Sequence, residues 1–363
     1  MSWPEQRARF PVLERFAYLN AGTFGPLART TIEAMATLRA WEATNGRGGK
    51  AYFEAMLERR ERVRELLAAQ IRVPAQNVAL TDSTTQGVHV VLSGLALRRG
   101  DDVVTTDVEH FGLTGPLIAS GAALRIARVR GVPAADLFDL IRAQVTPRTR
   151  LIAISAVSWL DGAVFPWRKL REATNVPVLV DGAQSAGALD VDATAADFFT
   201  VSAQKWLCGP DATGALYVRE PAALPPRLVA YPSAESYDIA AGTWEPKEGA
   251  RRFDTAFTPA SSLAGLEAAL TGLPDGRFDR ARELTEQCRS LLLEQGYDVV
   301  TEPAQGTLVS FRVDGDTTAA TAALYERGVI MRELPGTGLL RASVGWWNDD
   351  GDLARLVEGL AAL

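Results

Sequence analysis

The segments VPVLVDGAQSAGALDVD (176–192) and DFFTVSAQKWLCGPDATGALYV (197–218) decide the fold of this chain. Each begins with an apolar, β-branched run that is typical of a strand buried on both faces. Asp181 ends the first run, and Lys205 follows directly after the second. Because ligands bind at the carboxyl ends of strands in open α/β sheets, both side chains are placed to meet one.

Similar apolar runs precede these segments and alternate with helical patterns. Strands alternating with helices predict a mostly parallel sheet that helices cover on both faces. The further strand candidates are VALT (78–81), DVVTT (102–106), LRIARV (124–129) and RLIAISAV (150–157).

The length of 363 residues predicts two domains, because single cores stop growing at about 250–300 residues. A Pro- and Gly-rich stretch at 220–252 interrupts the alternation, and we place the domain boundary near 245. It is followed by a helical stretch from Ser262 to Gln295, the strand candidates TLVSFRV, GVIMRE and LLRASVG, and a final helix from Asp350 to Leu363. We expect an N-terminal segment (1–20) packed on the small domain, a large domain (21–245) and a small α+β domain (246–363).

Composition excludes several classes of protein. The net charge of -6 comes without any Lys/Arg run, so a nucleic-acid partner is not expected. The N-terminus lacks the apolar core of a signal peptide and no stretch is long enough to span a membrane, which favours a cytoplasmic protein. Two cysteines (Cys208, Cys288) and two histidines (His89, His110) form neither a disulfide framework nor a metal cluster.

Lys205 has the setting of a reactive amine. It lies beside Trp206 and a Gly-Pro turn, where loss of water would help it lose its proton, as a Schiff-base lysine must. Taken singly, Lys205 could be a solvated surface residue and Asp181 a cap for the following turn.

Together, DGAQSAG (181–187) and SAQKWLCGP (202–210) resemble the pyridoxal 5'-phosphate (PLP) signature of the class V aminotransferases. This fold-type-I family includes cysteine desulfurases, isopenicillin N epimerases and carbon-sulfur lyases, and the resemblance covers nearly the whole chain. It implies a large α/β domain with a mostly parallel seven-stranded sheet between helices, a smaller α+β C-terminal domain, an amino-acid substrate and a homodimer.

The resemblance also implies roles for individual residues. Asp181 would pair with the pyridinium nitrogen of PLP, Gln184 would hydrogen-bond the ring oxygen, and Lys205 would carry the cofactor as a Schiff base. His110, in TTDVEHFGL (105–113), would stack on the ring, whereas we interpret His89 as a packing residue. Gln204 departs from the family, which commonly has histidine before the lysine.

The phosphate of PLP is expected at the N-terminus of a helix. Ser83, Thr84 and Thr85 lie between a strand and a helix, where free N–H groups and the helix dipole favour an anion, although such residues also serve as plain helix caps. By the resemblance they hold the cofactor phosphate, with Ser202 as a second donor. Thr258, one residue beyond the position of a family threonine that reaches the partner subunit's phosphate, is a further candidate.

The substrate is expected to meet Arg341 and Trp159. Arg341, in LLRASVG (339–345), resembles the family arginine that grips the substrate carboxylate, a geometry that suits a planar guanidinium. Trp159 stands where the family often has asparagine and would line the substrate pocket; a core position is the alternative.

A missing cysteine bears on the type of reaction. Desulfurases carry a nucleophilic cysteine shortly before the carboxylate-binding arginine, and the corresponding loop here, ELPGTGLL (333–340), has none. The opening YLNAGTFGPL (18–27), the TTDVEHFG element, Trp159 and the LVSF strand resemble cystine and cysteine carbon-sulfur lyases, so we expect a β-lyase. The opening also resembles isopenicillin N epimerases, which leaves an epimerase or aminotransferase as alternatives. A cofactor-free scaffold protein is the alternative outside enzymes.

Overall fold

The computed structural model describes all 363 residues. The eleven α-helices are α1 (Trp3–Arg7), α2 (Arg29–Asn45), α3 (Lys50–Gln70), α4 (Thr84–Leu95), α5 (Phe111–Ala119), α6 (Leu137–Arg142), α7 (Trp167–Ala173), α8 (Ala260–Thr271), α9 (Arg277–Glu294), α10 (Thr317–Glu326) and α11 (Asp350–Ala361). None of them is both long and apolar enough to cross a membrane.

The fourteen strands are β1 (Ala17–Tyr18), β2 (Val78–Thr81), β3 (Asp102–Thr106), β4 (Ala123–Ala127), β5 (Thr149–Ser155), β6 (Val178–Asp181), β7 (Phe198–Ser202), β8 (Gly214–Val218), β9 (Ala234–Asp238), β10 (Thr243–Pro246), β11 (Leu308–Arg312), β12 (Val329–Ile330), β13 (Arg332–Leu334) and β14 (Leu339–Ser343). Short 3-10 helices lie at Pro11–Glu14, Ala75–Asn77, Ala134–Asp136, Ala193–Ala195, Pro221–Ala223, Tyr231–Ser233 and Gly249–Phe253.

The large domain is built on a seven-stranded sheet in the order β2-β8-β7-β6-β5-β3-β4. Only β8 runs against its neighbours, so the predicted mostly parallel sheet is confirmed. The sequence interpretation had not singled out β8 (GALYV) as a strand. It returns antiparallel to β7 after a loop that is too short for a helical crossover, so no helix pattern marks it.

Two apolar layers cover the sheet. On one face, α4 and α5 pack Val88, Val91, Leu113 and Leu117 against residues of the central strands. On the other face, the core includes residues of α3, α6, α7 and α8. A parallel sheet covered on both faces needs strands that are mainly apolar, and every residue of β2, β6 and β7 is buried.

The C-terminal part forms a second core around the antiparallel sheet β11-β14-β13, with α9, α10 and α11 packed on it. The N-terminal segment joins this core. β1 pairs in parallel with β12, and Arg7 makes an ion pair with Asp352 (2.6 Å).

The helical stretch predicted over Ser262–Gln295 is wrong as one element. It consists of α8 and α9, and the break contains Gly272, Pro274 and Gly276, of which Gly276 has a positive φ of 72°. Helix α8 packs on α2 and α3, and its Leu263, Leu266 and Leu270 belong to the large core. We therefore propose that the domain boundary lies between α8 and α9, later than the position near 245 that the sequence suggested.

Candidate active site

The carboxyl ends of β5, β6 and β7 lie side by side, which brings the polar residues at those ends together. Across the sheet, Ser155 is the register partner of Asp181, and Asp181 that of Thr200. Lys205 lies three residues beyond the end of β7, in the loop that leaves this strand. The fold therefore brings Asp181 and Lys205 to one edge of the sheet.

Lys205 is partly buried and its amine is withdrawn from water. Loss of hydration lowers the pKa of Lys205 to about 8, the charge of Asp181 opposes this shift, and the charges of Arg341 and Arg332 add to it. A lysine with this pKa is neutral in a useful fraction of molecules near pH 7–8, as a nucleophilic amine requires.

The stretch that follows β1 packs directly against the loop that carries Lys205. The N–H of Gly25 donates to the carbonyl of Gln204 (2.7 Å), and a Cβ at position 25 would overlap the carbonyl oxygen of Lys205. Only glycine allows this close approach.

Asp181 and Gln184 are both buried and held by the protein. Oδ1 of Asp181 accepts from the N–H of Ala183 (2.9 Å), while Oδ2 takes no hydrogen bond from the chain. Oε1 of Gln184 accepts from the indole N–H of Trp206 (2.9 Å), and its Nε2 donates to the carbonyl of Gly22 (2.9 Å). One oxygen of Asp181 and one N–H of Gln184 are thus left for a ligand.

The start of α4 lies beside the end of β7. Ser83 caps the helix, since its hydroxyl accepts from the N–H of Gln86 (3.2 Å). Ser202 pairs in register with Gly214, and a Cβ on Gly214 would lie 3.4 Å from the backbone nitrogen of Ser83. The fold thus brings Ser202 to the helix N-terminus, where Thr84 and Thr85 contribute N–H groups that have no intrahelical partner.

His110 and Trp159 face each other, their ring centroids 5.2 Å apart with an edge-to-face geometry. His110 caps α5, and its Nδ1 accepts from the N–H of Gly112 (3.0 Å). Loss of hydration lowers the pKa of His110, and the charge of Lys205 lowers it further, while the charge of Asp181 opposes the shift. His89, interpreted as a packing residue, is instead exposed on α4.

Arg341 is buried at the centre of the small-domain sheet. Its Nη1 donates to the carbonyl of Trp159 (2.8 Å), while Nε and Nη2 have no partner in the chain. Burial lowers the pKa of Arg341 to about 9, and the charge of Arg332 contributes. A buried guanidinium with two free donors is suited to bind a carboxylate.

The sequence interpretation missed two residues of this region. Arg332 is the register partner of Arg341 across β13 and β14, and its charge lowers the pKa of both Lys205 and His110. Glu109 precedes His110 and interacts with Asp181. Two signals were available in the sequence. The alternation of side chains along GVIMRE could have indicated Arg332, and the position of Glu109 directly before the histidine in TTDVEHFGL could have indicated Glu109.

Thr258 is not brought together with these residues in the chain. It borders a separate cavity with Arg39, Tyr52 and Met56 of α2 and α3, and the neighbouring Phe257 is exposed.

Comparison with known proteins identifies the family. The family model described as Aminotransferase class-V matches residues 18–356. The chain belongs to this family. The predicted class V membership is therefore confirmed.

Relatives of this class V family member include epimerases and desulfurases. An isopenicillin N epimerase of Streptomyces clavuligerus is 28% identical, and the alignment covers 99% of the chain and 98% of the relative. A protein of Pseudomonas aeruginosa described as "Probable cysteine desulfurase" is 31% identical over 99% of the chain and 98% of the relative.

Among solved structures, a mutant of C-DES with glycine covalently linked to its PLP cofactor has a TM-score of 0.90, is 28% identical and covers 98% of both chains. A complex of the cystine C-S lyase C-DES with its reaction product cysteine persulfide has a TM-score of 0.89 and is 28% identical, with coverage of 97% of this chain and 99% of that one. These matches confirm the fold-type-I architecture.

The residues at the sheet edge fit PLP. They include an amine that loses its proton near pH 8, a carboxylate with one free oxygen for a ring nitrogen, and a helix N-terminus for a phosphate. The class V family is PLP-dependent, and this member is a PLP-dependent enzyme that acts on an amino acid.

Proposed function

We propose that this enzyme is a carbon-sulfur β-lyase of cysteine, cystine or a cysteine conjugate. The observation that carries the proposal is the lack of a reactive thiol. The β13–β14 loop holds no cysteine, and both cysteines of the chain are buried, with burial raising the pKa of each thiol. A persulfide-forming desulfurase needs an accessible thiolate, whereas a lyase expels sulfur with the leaving group.

Lys205 would act as the base that takes the proton from the α-carbon. PLP, when bound, supplies an electron-withdrawing ring that stabilises the negative charge left on that carbon. The pKa of Lys205, about 8, lies close enough to neutral pH for its Nζ both to accept and to return a proton. His110 would cover one face of the ring and Asp181 would hold the ring nitrogen.

Arg341 would bind the substrate carboxylate through its free Nε and Nη2. With its carboxylate bound to Arg341, the substrate would have one orientation at the α-carbon, and that orientation decides which bond to this carbon breaks. Arg332, beside it on β13, adds positive charge that would favour substrates with a second anionic group, such as the distal carboxylate of cystine. The edge of Trp159 would limit the width of the pocket.

The test is an assay of the purified, PLP-loaded protein with L-cysteine, L-cystine and S-substituted cysteines. Pyruvate is followed by coupled oxidation of NADH, and alanine is measured in the same samples. The lyase proposal predicts pyruvate and ammonia in equal amounts, without alanine. Alanine with protein-bound persulfide would indicate a desulfurase, and absence of pyruvate with every sulfur substrate contradicts the proposal.

An epimerase is the second candidate. It is favoured by the similarity to an isopenicillin N epimerase over 99% of the chain. Chiral chromatography of substrates lacking a β-leaving group separates the two, since an epimerase inverts the α-carbon and releases nothing. An aminotransferase would instead yield a keto acid and the amine form of the cofactor.

We also propose that two chains form a homodimer in which Thr258 serves the partner's site. Support comes from its position beside a cavity away from Lys205, next to the exposed side chains of Phe257, Phe53 and Tyr231. Light scattering should give twice the chain mass, and Thr258→Ala should weaken PLP binding; a monomer with full activity contradicts this proposal.

A further inference from the structure

Glu109 is tied to two strand ends. Its Oε1 accepts from the hydroxyl of Thr106 at the end of β3 (2.9 Å), and its Oε2 accepts from the backbone N–H of Ser155 at the end of β5 (3.0 Å) and from the Ser155 hydroxyl. The next residue in the chain is His110. The turn that presents the His110 ring is therefore fastened through Glu109 to the strand beside β6.

Glu109 also lies within the electrostatic reach of the site. Ser155 is the register partner of Asp181, and the charge of Asp181 disfavours ionisation of Glu109. The other charged groups that face this cleft are Lys205 after β7 and the arginines of β13 and β14. The carboxyl of Glu109 is thus a second acidic group near Asp181, the residue that would hold the ring nitrogen.

We propose that Glu109 is a positioning residue for cofactor binding: it holds the His110 turn in place and, when ionised, adds a second negative charge that favours a cationic ring nitrogen at Asp181. The proposal deepens the PLP role of this site and does not depend on which reaction the enzyme catalyses.

The ionisation of Glu109 falls in the working range of pH. Loss of hydration raises the pKa of Glu109 to about 7, while the bonds from Ser155 and Thr106 oppose that rise. As the pH rises through 7, the carboxyl gains its charge. The hydroxyl of Thr106 and the N–H and hydroxyl of Ser155 then all donate to a carboxylate, and the negative charge of Glu109 attracts a cationic ring nitrogen more strongly.

The experiment measures binding, not turnover. The probe is 4'-deoxypyridoxine 5'-phosphate, which has the ring nitrogen and phosphate but no aldehyde, so the amine chemistry of Lys205 does not enter. Its Kd for the apoenzyme is measured by fluorescence between pH 6 and 8.5. Glu109→Gln is compared with wild type, and Glu235→Gln, an exposed carboxyl on β9, is the matched control.

The proposal predicts that wild type and the control bind about fivefold more tightly above pH 7.5 than the Glu109→Gln variant, a difference of about 1 kcal/mol. At pH 6 the three proteins should nearly agree, because a carboxyl with a pKa of about 7 is then mostly protonated. Equal Kd values for Glu109→Gln and wild type across the range would overturn the proposal.

A second variant covers the case in which Glu109→Gln does not fold. Ser155→Ala keeps the carboxyl but removes one donor to it, which should move the midpoint of the pH-dependent binding upward. Thr106→Ser retains its hydroxyl and should leave the midpoint unchanged. If Ser155→Ala leaves the midpoint in place, Glu109 does not govern the effect and the proposal is wrong.

Discussion

At the carboxyl edge of the central sheet, Asp181 and Gln184 are largely held by hydrogen bonds within the chain, whereas on the small-domain sheet Arg341 leaves two guanidinium positions without a partner. The first region is assembled before any ligand arrives, as a permanently held cofactor requires. The second has buried donors that no group of the chain satisfies, as a site for an exchanging ligand would. With the roles that we propose, Asp181 and Gln184 form the cofactor half of the site and Arg341 the substrate half, so variants in each half should affect different measurements.

Removal of the reactive amine should have the largest effect. Lys205→Ala is expected to lower kcat by at least about 1000-fold, because both the covalent link and the proton acceptor are lost. The visible absorption of the lysine-bound cofactor should vanish. Lys169→Ala, an exposed lysine on α7, is the matched control and should retain both. A Lys205→Ala protein with normal turnover would refute the assignment of the cofactor half.

In the substrate half, Arg341→Lys is expected to lower kcat/KM by about 100-fold, since a bidentate, charge-assisted pair is lost and such bonds contribute roughly 1.5–3 kcal/mol each. The absorption spectrum of the cofactor should stay unchanged. Arg312→Lys, on the exposed end of β11, serves as the control. A change in PLP affinity without a change in KM would show that the two halves are not separable.

The pH dependence of cofactor loading sharpens the comparison further. Only the neutral amine attacks the aldehyde, and the pKa of Lys205, about 8, lies below that of an ordinary lysine. The rate of PLP rebinding to the apoenzyme should therefore rise roughly tenfold per pH unit up to about pH 8 and then level off. A rate that keeps rising beyond pH 10 would mean that Lys205 has the pKa of an ordinary hydrated lysine, which would contradict this prediction.

Replacement of the buried thiols should have the smallest effect. The variant with both Cys208→Ala and Cys288→Ala is expected to keep lyase turnover within about twofold of wild type, because neither thiol takes part. Its unfolding free energy should fall by about 1–2 kcal/mol from the lost packing. Thermal unfolding and pyruvate release measure the two quantities, and a tenfold loss of turnover at unchanged stability would favour a thiol-dependent reaction.

The cofactor half could be interpreted from the sequence because its residues follow contiguous apolar runs. DGAQSAG and SAQKWLCGP each carry a strand end and its candidate residue together, so local pattern predicts their positions, while their roles come from the resemblance to the class V family. Arg332 and Glu109 could not be predicted in this way. Arg332 reaches the site because β13 pairs in antiparallel with β14 and so places it beside Arg341. Glu109 is held by a hydrogen bond from Ser155, which lies 46 positions away along the chain.

Helix boundaries show the same limit. The break at Gly272–Gly276 follows from local residues and was available to sequence reasoning, but the packing of α8 on α2 and α3 depends on contacts between distant segments. Contacts of this kind support the later boundary that we propose, whereas composition alone placed it near residue 245.

The pairing of the first residues with the last strands has a consequence for synthesis of the protein. Leu19 accepts from the N–H of Ser343 (2.8 Å), and Gly25 rests on the carbonyl of Gln204. The stretch around Leu19 therefore completes its hydrogen bonds only after the last strand of the small-domain sheet has been synthesised. Contacts between the first strand and the small-domain sheet thus form late in synthesis, whereas the contact between Gly25 and Gln204 can form earlier.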